Sequence, residues 1–276
     1  MGRQRSGHSI GCGEGGDLIT HSAMANRLLG VISALPEELA DLCERPGRID
    51  KIGGHGFWRG AIAGRDAVFV ESGPGKVNAG VATALLLDRF DCRALLMCGV
   101  AGGLDPALGV GDVVIGASNT QHDYGTQRES SFRTIQPGSR PSLGEESTPG
   151  YRMDDGLTER LRVVARGLVL EPLPEAVGVG RRLPAVHFGA ILTGDSFVNS
   201  ETLRRRLHVE FGAQAVEMEG GAVAQVARRW GDDIPFVNVR CLSDLAGVES
   251  HLDFRAFLPV AARYASLVAH RLAPVI

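Results

Sequence analysis

The chain has 276 residues, 44% hydrophobic and only 5% aromatic, enough apolar material for one large α/β domain, which can run past ~200 residues without dividing. Its net charge of −3 has both signs interspersed, so no basic stripe argues for nucleic acid and no acidic tail for a charged partner, and a small molecule is the expected ligand. Cys12, Cys43, Cys92, Cys98 and Cys241 are scattered, with no Cys-x-x-Cys pair and no His spacing suited to zinc, which points to a reducing cytosol and no metal site.

Residues 1–26 are rich in Gly, Ser, His and Arg and lack apolar periodicity, so a disordered extension is expected ahead of a single domain over residues 27–276. The stretch from Gly11 to Gly16 fits G-x-G-x-x-G, but no strand precedes it and no amphipathic helix follows, so it is set aside as a dinucleotide site. It also lacks the apolar run of a signal peptide, Met24 could be the natural start, and no ~18-residue apolar span suggests a membrane helix.

Leu28 to Leu35 is nearly continuous in apolar residues, the pattern of a strand buried on both faces, and Pro36-Glu37-Glu38 opens a helix. Glu37 and Glu38 read locally as first-turn acids facing the helix dipole; their place at a strand's carboxyl end, where open α/β sheets seat ligands, keeps a functional role open. A hairpin over 57–71, turning at Gly64-Arg65-Asp66, leads into Ser72-Gly73-Pro74-Gly75-Lys76-Val77-Asn78 and a helix over 79–89. Lys76 invites a phosphate, yet the full G-x-x-x-x-G-K-[ST] spacing is missing.

Arg93 to Cys98 is another buried strand, with Gly99-Val100-Ala101-Gly102-Gly103-Leu104 as a second glycine-rich exit, and Asp112 to Gly116 starts a further strand. Loops gathered at one sheet edge mark the expected pocket. Gln121-His122-Asp123-Tyr124 reads as a hydrogen-bonded loop, since no nucleophile motif accompanies the His-Asp pair. Residues 125–184, dense in Ser, Pro, Gly and Arg, show one helical stretch near 157–167 within a long functional or disordered segment. A strand over 186–192 exits through Thr193-Gly194-Asp195-Ser196-Phe197-Val198, where Phe197 can stack on a flat heterocycle or pack in the core. The helix from about Ser200 leaves Arg204, Arg205 and Arg206 largely on a solvated face.

Ala215 to Gly221 runs from strand-like residues through Glu217-Met218-Glu219 into a helix, in which Val223, Val226, Ala227 and Trp230 are expected as a buried stripe. Carboxylates two residues apart share a face if the backbone stays extended, and the Gly pair lets a ligand come close; a solvated strand end is the alternative. Arg240 lies inside the buried run 235–242, where a charge must be paired, and Glu38, Glu217 and Glu219 are the available partners. That strand ends at Ser243-Asp244, where Asp244 also reads as a cap. Pro259 sits badly in a helix interior and leaves the start of the last helix undefined.

In order, Leu35-Pro36-Glu37-Glu38, Ser72-Gly73-Pro74-Gly75-Lys76-Val77, Cys98 to Leu104, Gly194-Asp195-Ser196-Phe197, Val216-Glu217-Met218-Glu219 and Arg240-Cys241-Leu242-Ser243-Asp244 resemble the nucleoside phosphorylase and nucleosidase family over about residues 28–272. Within it the 5′-methylthioadenosine/S-adenosylhomocysteine nucleosidases are the nearest likeness. The resemblance implies an α/β fold with a mixed central β-sheet flanked by helices, no cofactor, a cytoplasmic homodimer, and cleavage of an N-ribosyl bond by water with adenine leaving. It also implies roles. Asp244 would be the acid that protonates adenine N7, Glu38 the carboxylate that orients and deprotonates water, and Arg240 the group that positions both. Glu219 would hold the ribose hydroxyls, Met218 pack under the sugar, Phe197 stack on adenine and the Val198 backbone read its edge. Leu35, Pro74 and Phe254 would line the 5′ substituent, and Ser243, Ala101 and Gly102 complete the substrate contacts.

Pro36 stands where the family often has an acid and Val100 where a Ser is common; with the long middle segment, these bear on substrate range more than on reaction type. One rival is a phosphorylase on the same fold. Its usual Gly-Asp-Pro turn and arginine are replaced here by Ser33-Ala34-Leu35-Pro36 and Leu96-Met97-Cys98, and an acid such as Glu38 repels phosphate. The other rival is a noncatalytic nucleoside-binding regulator, which has no need for Glu38, Glu219 and Asp244 together.

Overall fold

Apolar runs whose side chains alternate between two faces build the centre of the molecule. The computed structural model describes residues 28–44, 46–140, 148–174, 183–231, 234–247 and 250–276, with residues 250–256 described by backbone alone. The extension expected over 1–26, with its glycine motif, lies outside the described residues. Strand β1 (Leu29–Ser33) is buried along its whole length and pairs in parallel with β4 (Arg65–Glu71) and β5 (Ala94–Gly103). Strand β12 (Phe236–Asp244) joins β5 in parallel, and β6 (Val113–Gln121) runs antiparallel to β12. Strands β10 (Val186–Thr193) and β11 (Ala215–Glu217) follow β6 in parallel, while β3 (His55–Ile62) and β2 (Ile49–Ile52) extend the other edge antiparallel. The result is the mixed sheet that the resemblance implies.

One pairing positions the site. Strand β11 also runs antiparallel to the end of β5, with Ala215 opposite Gly103 and Val216 opposite Gly102, so the sheet closes on itself through β5, β12, β6, β10 and β11. The carboxyl ends of β11, β5 and β12 therefore meet.

Alternation along the strands fills the two larger of the molecule's apolar clusters. Leu29, Val31, Leu96, Cys98, Val237 and Val239 pack with Leu157 and Leu161 of α3 (Asp155–Ala165) and with Tyr264, Ala265 and Val268 of α6 (Ser250–Leu272). Ile32, Val68, Val70, Leu95 and Met97 face the other way, onto Ala82 and Leu86 of α2 (Lys76–Arg89) and Val223 and Ala227 of α5 (Gly220–Trp230). The remaining helices are the single turn α1 (Pro36–Leu39) and α4 (Glu201–Phe211), which is capped by the Ser200 side chain on Leu203 N.

Several local expectations change. Residues 99–103, read as a loop exit, continue β5; their glycines serve close approach rather than a turn, because a Cβ on Gly99 would lie 2.5 Å from Glu38 Oε1 and 2.8 Å from Arg240 Nη1. The β3–β4 turn falls at Ala63-Gly64, both at positive φ, one residue before the expected place and in the conformation that two-residue hairpins favour. Trp230 is exposed at the end of α5, so the buried stripe is shorter than its spacing suggests. Pro259 lies within α6, on its exposed side, where solvent can serve the carbonyl that the missing N–H leaves free. The middle segment holds α3 and three strands too short to register as periodic patterns: the hairpin β7 (Gly125–Gln127) with β8 (Phe132–Thr134), and β9 (Tyr151–Arg152) on β6. Among the described residues no helix is long and apolar enough to cross a membrane.

Because both neighbours of the Gly99 site are buried charged groups, Gly99→Ala is expected to destabilise the protein by about 1–3 kcal/mol in urea denaturation. Wild-type stability in that variant would show that Glu38 and Arg240 have room to retreat.

Candidate active site

Segments 34–38, 74, 100–102, 196–198, 216–219 and 240–244 converge on a cavity of about 390 Å³. All of the residues expected at the site line it except Phe254, whose side chain lies outside the described residues.

Glu38 reaches the cavity because α1 starts directly after β1. Its Oε2 accepts from Ala34 N (2.9 Å) and Leu35 N (3.0 Å), and its Oε1 accepts from Val100 N (2.9 Å) on β5. Helix capping and a place in the site thus turn out to be one arrangement, while Glu37 points to solvent. Burial raises the Glu38 pKa, against the opposing pull of Arg240 and the three backbone donors.

Arg240 is the cation inside β12, 1% exposed. Its Nη2 binds Glu217 Oε2 in a short contact and Glu219 Oε2 at 3.4 Å, its Nη1 donates to Val100 O at 3.3 Å, and its Nε donates to Asn238 Oδ1 at 2.8 Å. Burial by itself would weaken its hold on the proton, but Glu217, Glu219 and Glu38 together raise its pKa above the ordinary value.

Glu217 and Glu219 divide the work. Strand β11 ends at Glu217, and the backbone then turns, with Glu219 at φ −133° and ψ −45°. The shared face expected of an extended chain is therefore lost. Glu217 accepts from Glu219 N (3.0 Å) and Gly220 N (2.7 Å), capping the start of α5, and meets the Thr193 hydroxyl through its other oxygen. Glu219 accepts from Gly75 N at 2.9 Å. Burial lifts the Glu219 pKa to about 7, with Arg240 pulling it down and Glu217 pushing it further up.

Asp244, 2% exposed, lines the cavity from the end of β12. Its Oδ1 accepts from Ala246 N at 2.8 Å, and its Oδ2 is 3.0 Å from Ser243 Oγ, which is itself 3.4 Å from Ala101 O. Phe197 is 46% exposed at the rim, Val198 is buried, and Leu35, Pro74, Val100 and Ala101 add apolar wall.

Lys76 does not line this cavity. Its ammonium sits 2.7 Å from Asp123 and 3.3 Å from Asp195, and Asp123 also accepts from Asp195 N at 2.8 Å, which gives Gln121 to Tyr124 the hydrogen-bonded loop expected of it. Sequence reasoning named Glu217 among the partners of Arg240 but gave it no firm role, and it passed over the Gly75 N–H on Glu219. A signal existed for the first, because a buried arginine needs more than one acceptor. No sequence pattern marks the second.

A family model described as the phosphorylase superfamily matches residues 28–274. The 5′-methylthioadenosine/S-adenosylhomocysteine nucleosidase of Mycobacterium tuberculosis is 42% identical over 252 residues, covering 90% of this chain and 97% of that protein. The enzyme of the same name from Geobacillus thermodenitrificans is 37% identical over 239 residues, covering 86% and 92%. Among solved structures, the 5′-methylthioadenosine/S-adenosylhomocysteine nucleosidase from Neisseria meningitidis in complex with methylthio-immucillin-A is similar with a TM-score of 0.73 at 30% identity, covering 91% of this chain and 100% of that one. The futalosine hydrolase of Helicobacter pylori strain 26695 gives 0.74 at 25% identity, covering 91% and 98%.

Glu219 holds its proton more tightly folded than unfolded, so it contributes stability that is complete below 4.5 and is lost as pH rises through about 7. Glu219→Gln lacks that loss. Its Tm should gain on wild type between about pH 5 and about pH 8, and parallel Tm curves would contradict the raised pKa.

Proposed function

The chain belongs to the phosphorylase superfamily, and from that premise we infer an N-glycosyl hydrolase that cleaves the N-ribosyl bond of an adenine nucleoside, such as 5′-methylthioadenosine or S-adenosylhomocysteine, and releases adenine. The observation that carries the reading is a pair of buried carboxyl groups that line one cavity from different elements and in different settings. Glu38 is held by three backbone N–H groups beside Arg240; Asp244 is held by Ala246 N and Ser243.

Each group has work in the reaction. Asp244 donates a proton to adenine N7 as the C1′–N9 bond breaks, so the bonding pair leaves with a neutral base. Water adds to the oxocarbenium-like C1′ and its proton passes to Glu38. Arg240 orients water and carboxylates, Glu219 holds the ribose hydroxyls, and Met218 packs under the sugar. Phe197 stacks on adenine with the Val198 backbone at its edge, and Ser243, Ala101 and Gly102 flank the acid. Leu35 and Pro74 receive the 5′ substituent, whose thioether suits an apolar wall.

Water fits better than phosphate as the nucleophile. Among the described residues Arg240 is the one Lys or Arg side chain lining the cavity, and Glu217 and Glu219 already engage it. A phosphate beside it would face Glu38 and Glu219 at close range. We also propose a cytoplasmic homodimer. Val77 and Val81, one turn apart on α2 and 78% and 44% exposed, make an apolar stripe next to the Pro74 loop that a second copy would cover. Free Cys43, Cys92, Cys98 and Cys241 suit a reducing compartment.

Incubation with methylthioadenosine, adenosylhomocysteine, adenosine and inosine, with and without phosphate, should give a free ribose derivative in both conditions. Ribose 1-phosphate formed only with phosphate would overturn hydrolysis, and binding without turnover would favour a regulator. Glu38→Gln and Asp244→Asn should each lower kcat by about a hundredfold to ten-thousandfold in a folded protein. Near-normal turnover in either would remove that residue from its role. Sedimentation should give a dimer that Val77→Asp weakens; a monomeric wild type would refute the assembly.

A further inference from the structure

Arg240 has five N–H donors in a fixed plane, and whichever partner takes Nε sets the orientation of that plane. Here the partner is neutral. Asn238 Oδ1 accepts from Nε at 2.8 Å, and Asn238 Nδ2 in turn donates to Asn119 Oδ1 at 2.8 Å. Asn238 is 0% exposed and Asn119 2%, and neither touches the cavity that holds the reacting groups. Two buried amides in adjacent strands β12 and β6 need a reason, because each costs desolvation that a pair of apolar residues would avoid.

The chemistry of the cluster supplies one. Glu38, Glu217 and Glu219 already surround a single cation, so a further carboxylate on Nε would add charge that nothing offsets, and an apolar side chain would leave a buried N–H unmade. An amide gives the acceptor without the charge. Its weakness is that it can flip and present Nδ2 instead, and Asn119 Oδ1 removes that freedom by accepting only from Nδ2. Gly220 leaves the space: a Cβ there would lie 2.1 Å from Asn238 Nδ2.

We propose that Asn238 is a positioning residue for the reaction and Asn119 its anchor. The chain Asn119–Asn238–Arg240 holds the guanidinium in the plane that turns Nη2 toward Glu217 and Glu219 and Nη1 toward the Gly99 and Glu38 side of the cavity. The kinetic consequence rests on the hydrolase reading; the geometric one does not.

Asn238→Leu should lower kcat by about tenfold to a hundredfold with a small change in KM, since the misplaced group acts on the reacting water rather than on substrate binding. The acid-side midpoint of the kcat profile should move to higher pH, because a guanidinium free to tilt shields Glu38 and Glu219 less. Asn119→Ala should give a smaller effect of the same kind and none in the Asn238→Leu background. If Asn238→Leu does not fold, Asn119→Ala carries the test alone. An activity-independent readout is the Arg240 Nε–H resonance, identified by its loss in Arg240→Lys: its slow exchange with solvent should persist in wild type and disappear in Asn238→Leu. A variant with lowered Tm but unchanged kcat, pH midpoint and Nε–H protection would make Asn238 a core filler and overturn the proposal. A wild type that turns over no adenine nucleoside would overturn the hydrolase reading, and the Nε–H exchange would still decide the positioning.

Discussion

The burial of one guanidinium among three carboxylates is the constraint on which the rest of the structure turns. Desolvation makes an unpaired charge at Arg240 prohibitive, so the surrounding chain has to deliver acceptors from several directions at once. Glu217 and Glu219 come from the end of β11, Glu38 from the turn after β1, the Val100 carbonyl from β5 and the Asn238 amide from β12 itself. Of these strands only β11 and β12 follow one another in sequence. Their convergence depends on the extra antiparallel pairing of β11 with β5, which folds the far edge of the sheet back over its centre. An open sheet with the same strands would leave the Glu-Met-Glu segment away from Arg240.

Much of this was legible one residue at a time. An arginine inside a continuous apolar strand demands partners, and the acids at two other strand ends were the candidates; all three are there. The strand-loop-helix rhythm located the cavity edge, because carboxyl ends of neighbouring parallel strands open on the same side. Less legible was whatever depends on backbone path. Residues 99–103 have the composition of a loop, yet the smallness of Gly99, Gly102 and Gly103 serves the side chains pressed against β5, and composition cannot separate those two uses. Likewise the two-residue spacing of Glu217 and Glu219 implies a common face only while the chain stays extended, and the turn into α5 undoes it. Short strands such as β2 and β9 carry too few residues for any period to show.

Glu217 shows how one side chain can serve fold and site together. By capping α5 it fixes the Glu219 backbone, and by binding Arg240 it spares Glu219 from carrying the whole counter-charge. Glu219 is then left with a weaker contact to Arg240 at 3.4 Å and a backbone donor from Gly75, a loosely held carboxylate facing the cavity. That division leaves Glu219 able to accept hydrogen bonds from sugar hydroxyls, the role proposed for it.

The same charge imbalance bears on the direction of catalysis. Three carboxylates against one cation make the Arg240 end of the cavity electronegative; burial raises Glu38 and lifts Glu219 to about 7, where repulsion from Glu217 adds to it. An N-ribosyl cleavage develops positive charge on the ribose, so a site that is uncomfortable for its own anions when empty becomes favourable as that charge appears. Asp244, the proposed acid, lies at the end of β12 with Ser243 and the Ala246 N–H as its partners, so it makes no claim on Arg240. With the two proposed carboxyl functions carried by different elements, one cavity can stabilise a cation at C1′ and protonate the leaving group in the same step.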